Sequence, residues 1–229
     1  MCGRFTLRLP PAELAEMFQV LREIETVPRY NIAPTQQIAA VRSNDGHREL
    51  TMLKWGLIPS WSKDDKIGAR LINARGETVS EKPSFRAAFK RRRCLIPADG
   101  FYEWKKLSGK SKQPYLIGMK DEAPFAFAGL WEHWGKGADG SIESCTIITT
   151  TPNELLADIH DRMPIILPVD HWDVWLDHEI TEAAALQSLL IPLPAEVMQR
   201  VPVSTLVNSP RNDIPECTEV IETDDRDDA

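Results

Sequence analysis

The sequence predicts an α+β fold in one domain: a curved, mostly antiparallel sheet or open barrel with helices at its periphery. Three observations carry that expectation. Short apolar runs rich in β-branched residues recur between residues 37 and 167, separated by Gly, Pro, Asn and Asp turn signals. Helical periodicity is confined to a few stretches at the edges of those runs. No internal repeat and no Gly- or Ser-rich linker divides the 229 residues, a length at which one domain buries a substantial core.

The first element is a helix over residues 10–24. Pro10 and Pro11 suit a first turn, and Leu14, Met17, Phe18 and Leu21 fall at i, i+3, i+4 and i+7. Strands are expected at Gln37–Arg42, Leu50–Trp55, Cys94–Pro97, Tyr115–Met119, Ala126–Trp131, Ser144–Thr149 and Pro164–Leu167. Further helices are expected near 84–91, 153–158, 170–177 and 181–190. From residue 211 the chain turns polar and acidic. The expected organisation is therefore a domain over 1–210 and a flexible acidic tail over 211–229.

Composition is that of a soluble globular protein, 42% hydrophobic and 27% charged. No apolar run approaches the roughly 20 residues needed to span a bilayer. Met1-Cys2-Gly3-Arg4-Phe5 lacks the apolar core of a signal peptide, so a cytoplasmic location away from membranes is expected, nucleoid-associated if the source is bacterial. The four cysteines include no C-x-x-C pair, which argues against a zinc site, and no metal or cofactor is expected. Cys94 and Cys145 read as buried thiols within apolar strands. The net charge of −7 at first disfavours a nucleic-acid partner, yet Glu219–Ala229 alone holds six acids and one arginine, −5 of that total. The remainder includes the basic run Lys90-Arg91-Arg92-Arg93, whose plain reading is a solvated face.

Four segments carry more chemistry than a core requires. A small side chain at position 2 lets the cell's methionine aminopeptidase remove Met1, leaving Cys2 as a 1,2-aminothiol. Its amine has a pKa of about 7.7–8.0 and its thiol one of about 8.5. An amine gives a reversible Schiff base with an aldehyde, and the neighbouring thiol closes that imine into a thiazolidine. In Leu71–Thr78, Asn73 and Arg75 alternate with apolar residues at strand spacing; the alternative is a turn-forming Asn and a surface Arg. In Ala98–Trp104, Glu103 either faces solvent or is partly buried with a raised pKa, as a general acid would be. In Asp158–Pro164, His160 sits among acids and Arg162, in a structural or a chemical role.

Together, MCGRF, YNIAPTQ (Tyr30–Gln36), WGLIPSW (Trp55–Trp61), LINARGET, ADGFYEW and IHDRMP closely resemble the SOS-response-associated peptidase (SRAP) family, also described as abasic-site processing proteins. The resemblance runs from Cys2 to about Leu167. It implies one α+β domain around a barrel-like sheet, and a DNA-repair protein that binds single-stranded DNA and captures abasic sites covalently, with lyase and autopeptidase activities in the same class. It implies that Cys2 is the nucleophile, that Asn73 positions the Cys2 backbone and the sugar, that Glu103 moves protons, and that His160 assists sugar opening and crosslink reversal. Arg4, Arg75 and Arg162 fit the family's phosphate contacts, Trp61 and Pro34 its base-stacking wedge, and Thr149 a polar position near the site. One departure stands in the wedge loop, where some relatives carry two adjacent Trp and this chain has Ser60-Trp61. The expected partner is single-stranded DNA with abasic sites, bound by a monomer. The competing readings are a cysteine peptidase or amidohydrolase with Cys2 as N-terminal nucleophile, and a non-enzymatic single-strand binding module.

Overall fold

The computed structural model describes residues 2–20, 24–109, 111–137 and 140–222. The strands, in chain order, are β1 (Phe5–Leu7), β2 (Arg29–Ile32), β3 (Gln37–Asn44), β4 (His47–Trp55), β5 (Asn73–Arg75), β6 (Arg93–Ala98), β7 (Gly100–Lys106), β8 (Lys112–Met119), β9 (Phe125–Gly137), β10 (Gly140–Thr150), β11 (Met163–Pro164), β12 (Ile166–Leu167) and β13 (Met198–Pro202). Among the described residues the α-helices are peripheral: α1 (Pro11–Phe18), α2 (Arg86–Arg91), α3 (Trp172–Leu176) and α4 (Ala183–Gln187). The result is the expected α+β domain. Among the described residues no helix is long and apolar enough to cross a membrane.

Two sheets form the scaffold. One is an open antiparallel sheet in the order β13-β8-β7-β1-β2. In the other, β10, β4, β3, β6 and β9 close into a five-stranded barrel, because β10 pairs with β9 along one edge and with β4 and then β5 along the other. The pairings of β10 with β4 and β5 are parallel. Closure removes the exposed edge of this sheet. Gly56, at φ +132°, follows β4 where the chain passes residue 68; a Cβ there would meet the Gly68 carbonyl oxygen at 2.6 Å.

β1 is short but firmly anchored. Phe5 is 1% exposed and meets Trp55 and Phe127 edge-on, with ring centroids at 5.2 and 5.8 Å. Burial of such a ring stabilises by roughly 1.5–3 kcal/mol. The N-terminal strand of the open sheet is thereby fixed against the barrel, which sets the position of Cys2.

Several elements differ from expectation. The first helix stops at Phe18 because Gln19 turns left-handed (φ 53°) and its N–H reaches back to Glu16 O. The helix expected over 153–158 is instead a set of successive turns at 154–159, with Asn153 Nδ2 drawn to the Leu193 carbonyl at 2.8 Å. The basic run is not wholly solvated. Arg93 is 3% exposed, and its guanidinium donates to the carbonyls of Phe89, Lys90, Trp175 and Asp177, tying the C-termini of α2 and α3 together.

The segment after residue 210, expected as a loose tail, is held as far as it is described. Asp213 Oδ1 accepts from the Tyr30 and Asn31 N–H groups at 2.6 and 2.9 Å, satisfying the outer edge of β2, while Oδ2 pairs with Arg29. Cys217 is buried, and Val220 bridges to Val203. Residues 223–229 lie outside the described residues.

Candidate functional site

Cys2, Asn73, Glu103 and His160 come from four separate segments, and the pairing of β1 with β7 brings the first and third together. Phe5 lies opposite Phe101, and the Tyr102 N–H donates to the Arg4 carbonyl at 3.0 Å. Glu103 follows, its carboxylate close enough to act electrostatically on the Cys2 thiol. β5 supplies the second group. Held parallel to β10, with Asn73 opposite Ile147, it aims Asn73 Nδ2 at the Cys2 carbonyl oxygen, 2.8 Å away. Asn73 Oδ1 is buried and accepts no hydrogen bond from the described residues. Donating one end of the amide to Cys2 leaves the other as an acceptor for a further group.

Burial decides the protonation states. Cys2 is fully buried, and that burial, reinforced by the Glu103 charge, pushes its thiol upward. Burial also raises Glu103, 3% exposed, from 4.5 to about 7, against the charge of the chain's amino terminus. A carboxyl group titrating there is both donor and acceptor of protons near neutrality.

His160 follows the turns at 154–159. Its Nδ1 lies 3.0 Å from the Arg162 N–H and 2.8 Å from Asp161 Oδ1. The two contacts demand opposite states of one nitrogen: accepting from Arg162 requires it bare, whereas pairing with Asp161 requires a proton. Burial lowers the His160 pKa, with Asp161 opposing. The neutral ring, with Nδ1 accepting and the proton assigned to Nε2, is therefore the resting form. The Asp161 charge also acts on Glu103, which links the His160 loop to the buried carboxyl.

The three arginines are employed differently. Arg75 is exposed, and its side chain makes no hydrogen bond or ion pair among the described residues. Arg162 grips Glu77 with both nitrogens, Nη1 to Oε1 at 2.6 Å and Nη2 to Oε2 at 2.9 Å, and also donates to the Thr149 carbonyl at 2.6 Å. Arg4 turns inward. Its Nη1 donates to Asn31 Oδ1 at 2.9 Å and to the Val207 carbonyl at 2.7 Å, so it fastens β1 to the C-terminal segment. Thr149 is buried, its Oγ1 3.4 Å from the Ala74 carbonyl.

Trp61 is 56% exposed at the tip of a turn, anchored behind by Trp134 Nε1 donating to the Ser62 carbonyl at 3.0 Å. Pro34, half-buried, lies in a different turn, before Thr35 (φ 72°). Asn31 and Glu77 were not among the expected site residues. Asn31 is fully buried and donates from Nδ2 to the carbonyls of Val207, Ser209 and Asn212. Both lie inside motifs already singled out, YNIAPTQ and LINARGET, which is the only signal that points to them.

A family model described as SOS response associated peptidase (SRAP) matches residues 1–210. The abasic site processing protein YoqW of Bacillus subtilis (strain 168) is 50% identical over 222 residues, covering 96% of this chain and 99% of that protein. The abasic site processing protein HMCES of Gallus gallus is 33% identical over 266 residues, covering 97% and 78%. A crystal structure of a protein from Bacteroides thetaiotaomicron superposes with a TM-score of 0.87 at 28% identity, covering 96% of this chain and all of the other.

Proposed function

The chain belongs to the SOS response associated peptidase family, and on that premise we propose that it captures abasic sites in single-stranded DNA by a covalent bond to Cys2, freed as the N-terminal residue by removal of Met1. The relatives named abasic site processing proteins support the lesion. The observation that carries the chemistry is the Asn73–Cys2 hydrogen bond beside a buried carboxyl that titrates near neutrality.

The steps balance without a cofactor. The abasic sugar rests as a closed hemiacetal, and His160 promotes its opening to the aldehyde. The neutral α-amine of Cys2 adds to C1′, giving a carbinolamine. Glu103 in its neutral form protonates the carbinolamine hydroxyl, which departs as water and leaves an iminium. The resulting Glu103 carboxylate takes the proton from the Cys2 thiol, and sulfur adds to C1′ to close the thiazolidine. Glu103 ends as it began, and one water leaves overall. C1′ is then saturated, so C2′ loses the acidity that drives β-elimination of the 3′ phosphate, and the strand stays intact.

Asn73 fixes the Cys2 carbonyl so that amine and thiol present to one carbon. Trp61 offers an exposed face for a neighbouring base, and Arg75 an exposed guanidinium for phosphate. One chain per lesion suffices.

The test compares wild type and Cys2→Ser on oligonucleotides carrying one abasic site, single- or double-stranded, on denaturing gels. Wild type should give a heat-stable adduct on the single strand only, and Cys2→Ser none without borohydride trapping. Equal adduct from both proteins would exclude thiazolidine formation.

A further inference from the structure

The two-pronged grip of Arg162 on Glu77 bears on how the strand is admitted. Both guanidinium nitrogens meet both carboxylate oxygens, at 2.6 and 2.9 Å. This fork-on-fork geometry is the one an arginine uses for two oxygens of a phosphate. The arginine is 11% exposed at its side chain, but Glu77 is 49% exposed, so the anion faces solvent while the cation lies beneath it. Arg75, exposed two residues before Glu77, acts electrostatically on the same carboxylate. Arg162 is held from behind by the Thr149 carbonyl, which also accepts the Gly76 N–H at 2.9 Å. The guanidinium is therefore fixed in place, and the carboxylate in front of it is its accessible partner.

We propose that Glu77 is a resident anion standing in for a backbone phosphate at Arg162, one that DNA displaces on binding, so that it weakens the hold on strands lacking a lesion. This rests on the reading of the chain as a binder of single-stranded DNA. Glu77 is charged at neutral pH as any carboxylate is, and the Arg162 hydrogen bonds hold its carboxyl further below the usual range. A strand must offer enough phosphate contacts to replace it. An undamaged strand then leaves readily, whereas a lesion is retained by the covalent bond to Cys2. Glu77 is in this account a specificity-determining residue, outside the reacting atoms.

The test measures equilibrium binding of an undamaged single-stranded oligonucleotide across a salt series, for wild type, Glu77→Gln, Glu77→Asp, Arg162→Gln and the Arg162→Gln/Glu77→Gln double variant. Glu77→Gln should tighten binding by about two- to fivefold at low salt, the range of an exposed ion pair. Its dependence of log affinity on log salt should stay close to wild type, because a strand that displaces Glu77 contacts the same phosphates in both proteins. Glu77→Asp, which keeps the anion, should stay near wild type. The gain should vanish in the Arg162→Gln background, since residues in direct contact are not additive. Binding by wild type with an equal or weaker hold by Glu77→Gln would overturn the proposal alone, and would mark Glu77 as a brace for Arg162. An equal gain in both backgrounds would also overturn it, as a general charge effect. No binding by wild type would overturn it together with its premise.

Discussion

Asn73 donates from Nδ2 to the carbonyl oxygen of Cys2 at 2.8 Å, joining residues 71 positions apart. Without that bond Cys2 keeps its burial and the Arg4 backbone hydrogen bond to its thiol, but its carbonyl is no longer fixed, and the amine loses its orientation relative to the thiol. Asn73→Ala should lower stability by about 1 kcal/mol, the worth of one such bond, and Tm by roughly 2–4 °C. Single-turnover adduct formation should slow by on the order of 100-fold, the scale of a misplacement near 1 Å. Thermal melts and quenched gels measure the two effects, and a rate equal to wild type would refute the positioning role.

Glu103 links rate and stability through one proton. Its neutral form donates to the departing hydroxyl while the Cys2 amine, at about 7.7–8.0, must be neutral to add, so the adduct rate should be bell-shaped in pH, with loss of the Glu103 proton setting the alkaline limb. Glu103→Gln should abolish that limb and slow the reaction by about 100-fold or more. Stability moves with the same group. Between 4.5 and about 7 the unfolded chain has released this proton while the folded chain keeps it, so stability falls with rising pH across that window. Above it, Glu103→Gln should be more stable than wild type by up to ~3 kcal/mol, read from urea melts at pH 5 and 8.

Trp61 separates binding from folding. Trp61 is 56% exposed and its indole N–H makes only a long, exposed bond of 3.4 Å to the Pro83 carbonyl, so Trp61→Ala should change Tm little. If the ring stacks on a base, single-strand affinity should fall by about 5- to 150-fold, the equivalent of roughly 1–3 kcal/mol. Fluorescence titration with an undamaged oligonucleotide measures this, and an unchanged affinity would remove Trp61 from the interface.

Arg4 makes the opposite case. Its Nη1 bonds to Asn31 and Val207 fasten β1 to the C-terminal segment. Arg4→Met should cost about 1.5–3 kcal/mol, because charged hydrogen bonds are lost and buried acceptors are left behind. The readout is the urea midpoint at pH 7, and a midpoint equal to wild type would show that the latch contributes nothing.

The barrel strands β3, β4, β6, β9 and β10 were legible because each is a local apolar run bounded by turn residues. β2 (RYNI) and β13 (MQRVP) were not, since their composition is mixed and their existence depends on partners far along the chain. The parallel seam between β10 and β4 has no local signal either, so the sequence suggested an open barrel where the structure closes one. Helix ends were misjudged where one residue overrides periodicity, as Gln19 does at the end of α1. In the site, motif resemblance named Asn73, whose bond to Cys2 the structure then provides. It could not foresee that Arg162 is engaged by Glu77 or Arg4 by Asn31, because those pairings depend on three-dimensional proximity alone.

The most direct test of covalent capture is the intact mass of the product formed with a single-stranded oligonucleotide bearing one abasic site, followed by proteolysis and peptide sequencing. The account predicts a mass equal to protein lacking Met1 plus oligonucleotide minus one water, unchanged by borohydride, with the adduct on the peptide that begins at Cys2. A product that gains two hydrogens with borohydride would indicate an open imine without ring closure. An adduct on any other peptide, or no adduct from protein verified to begin at Cys2, would contradict the account.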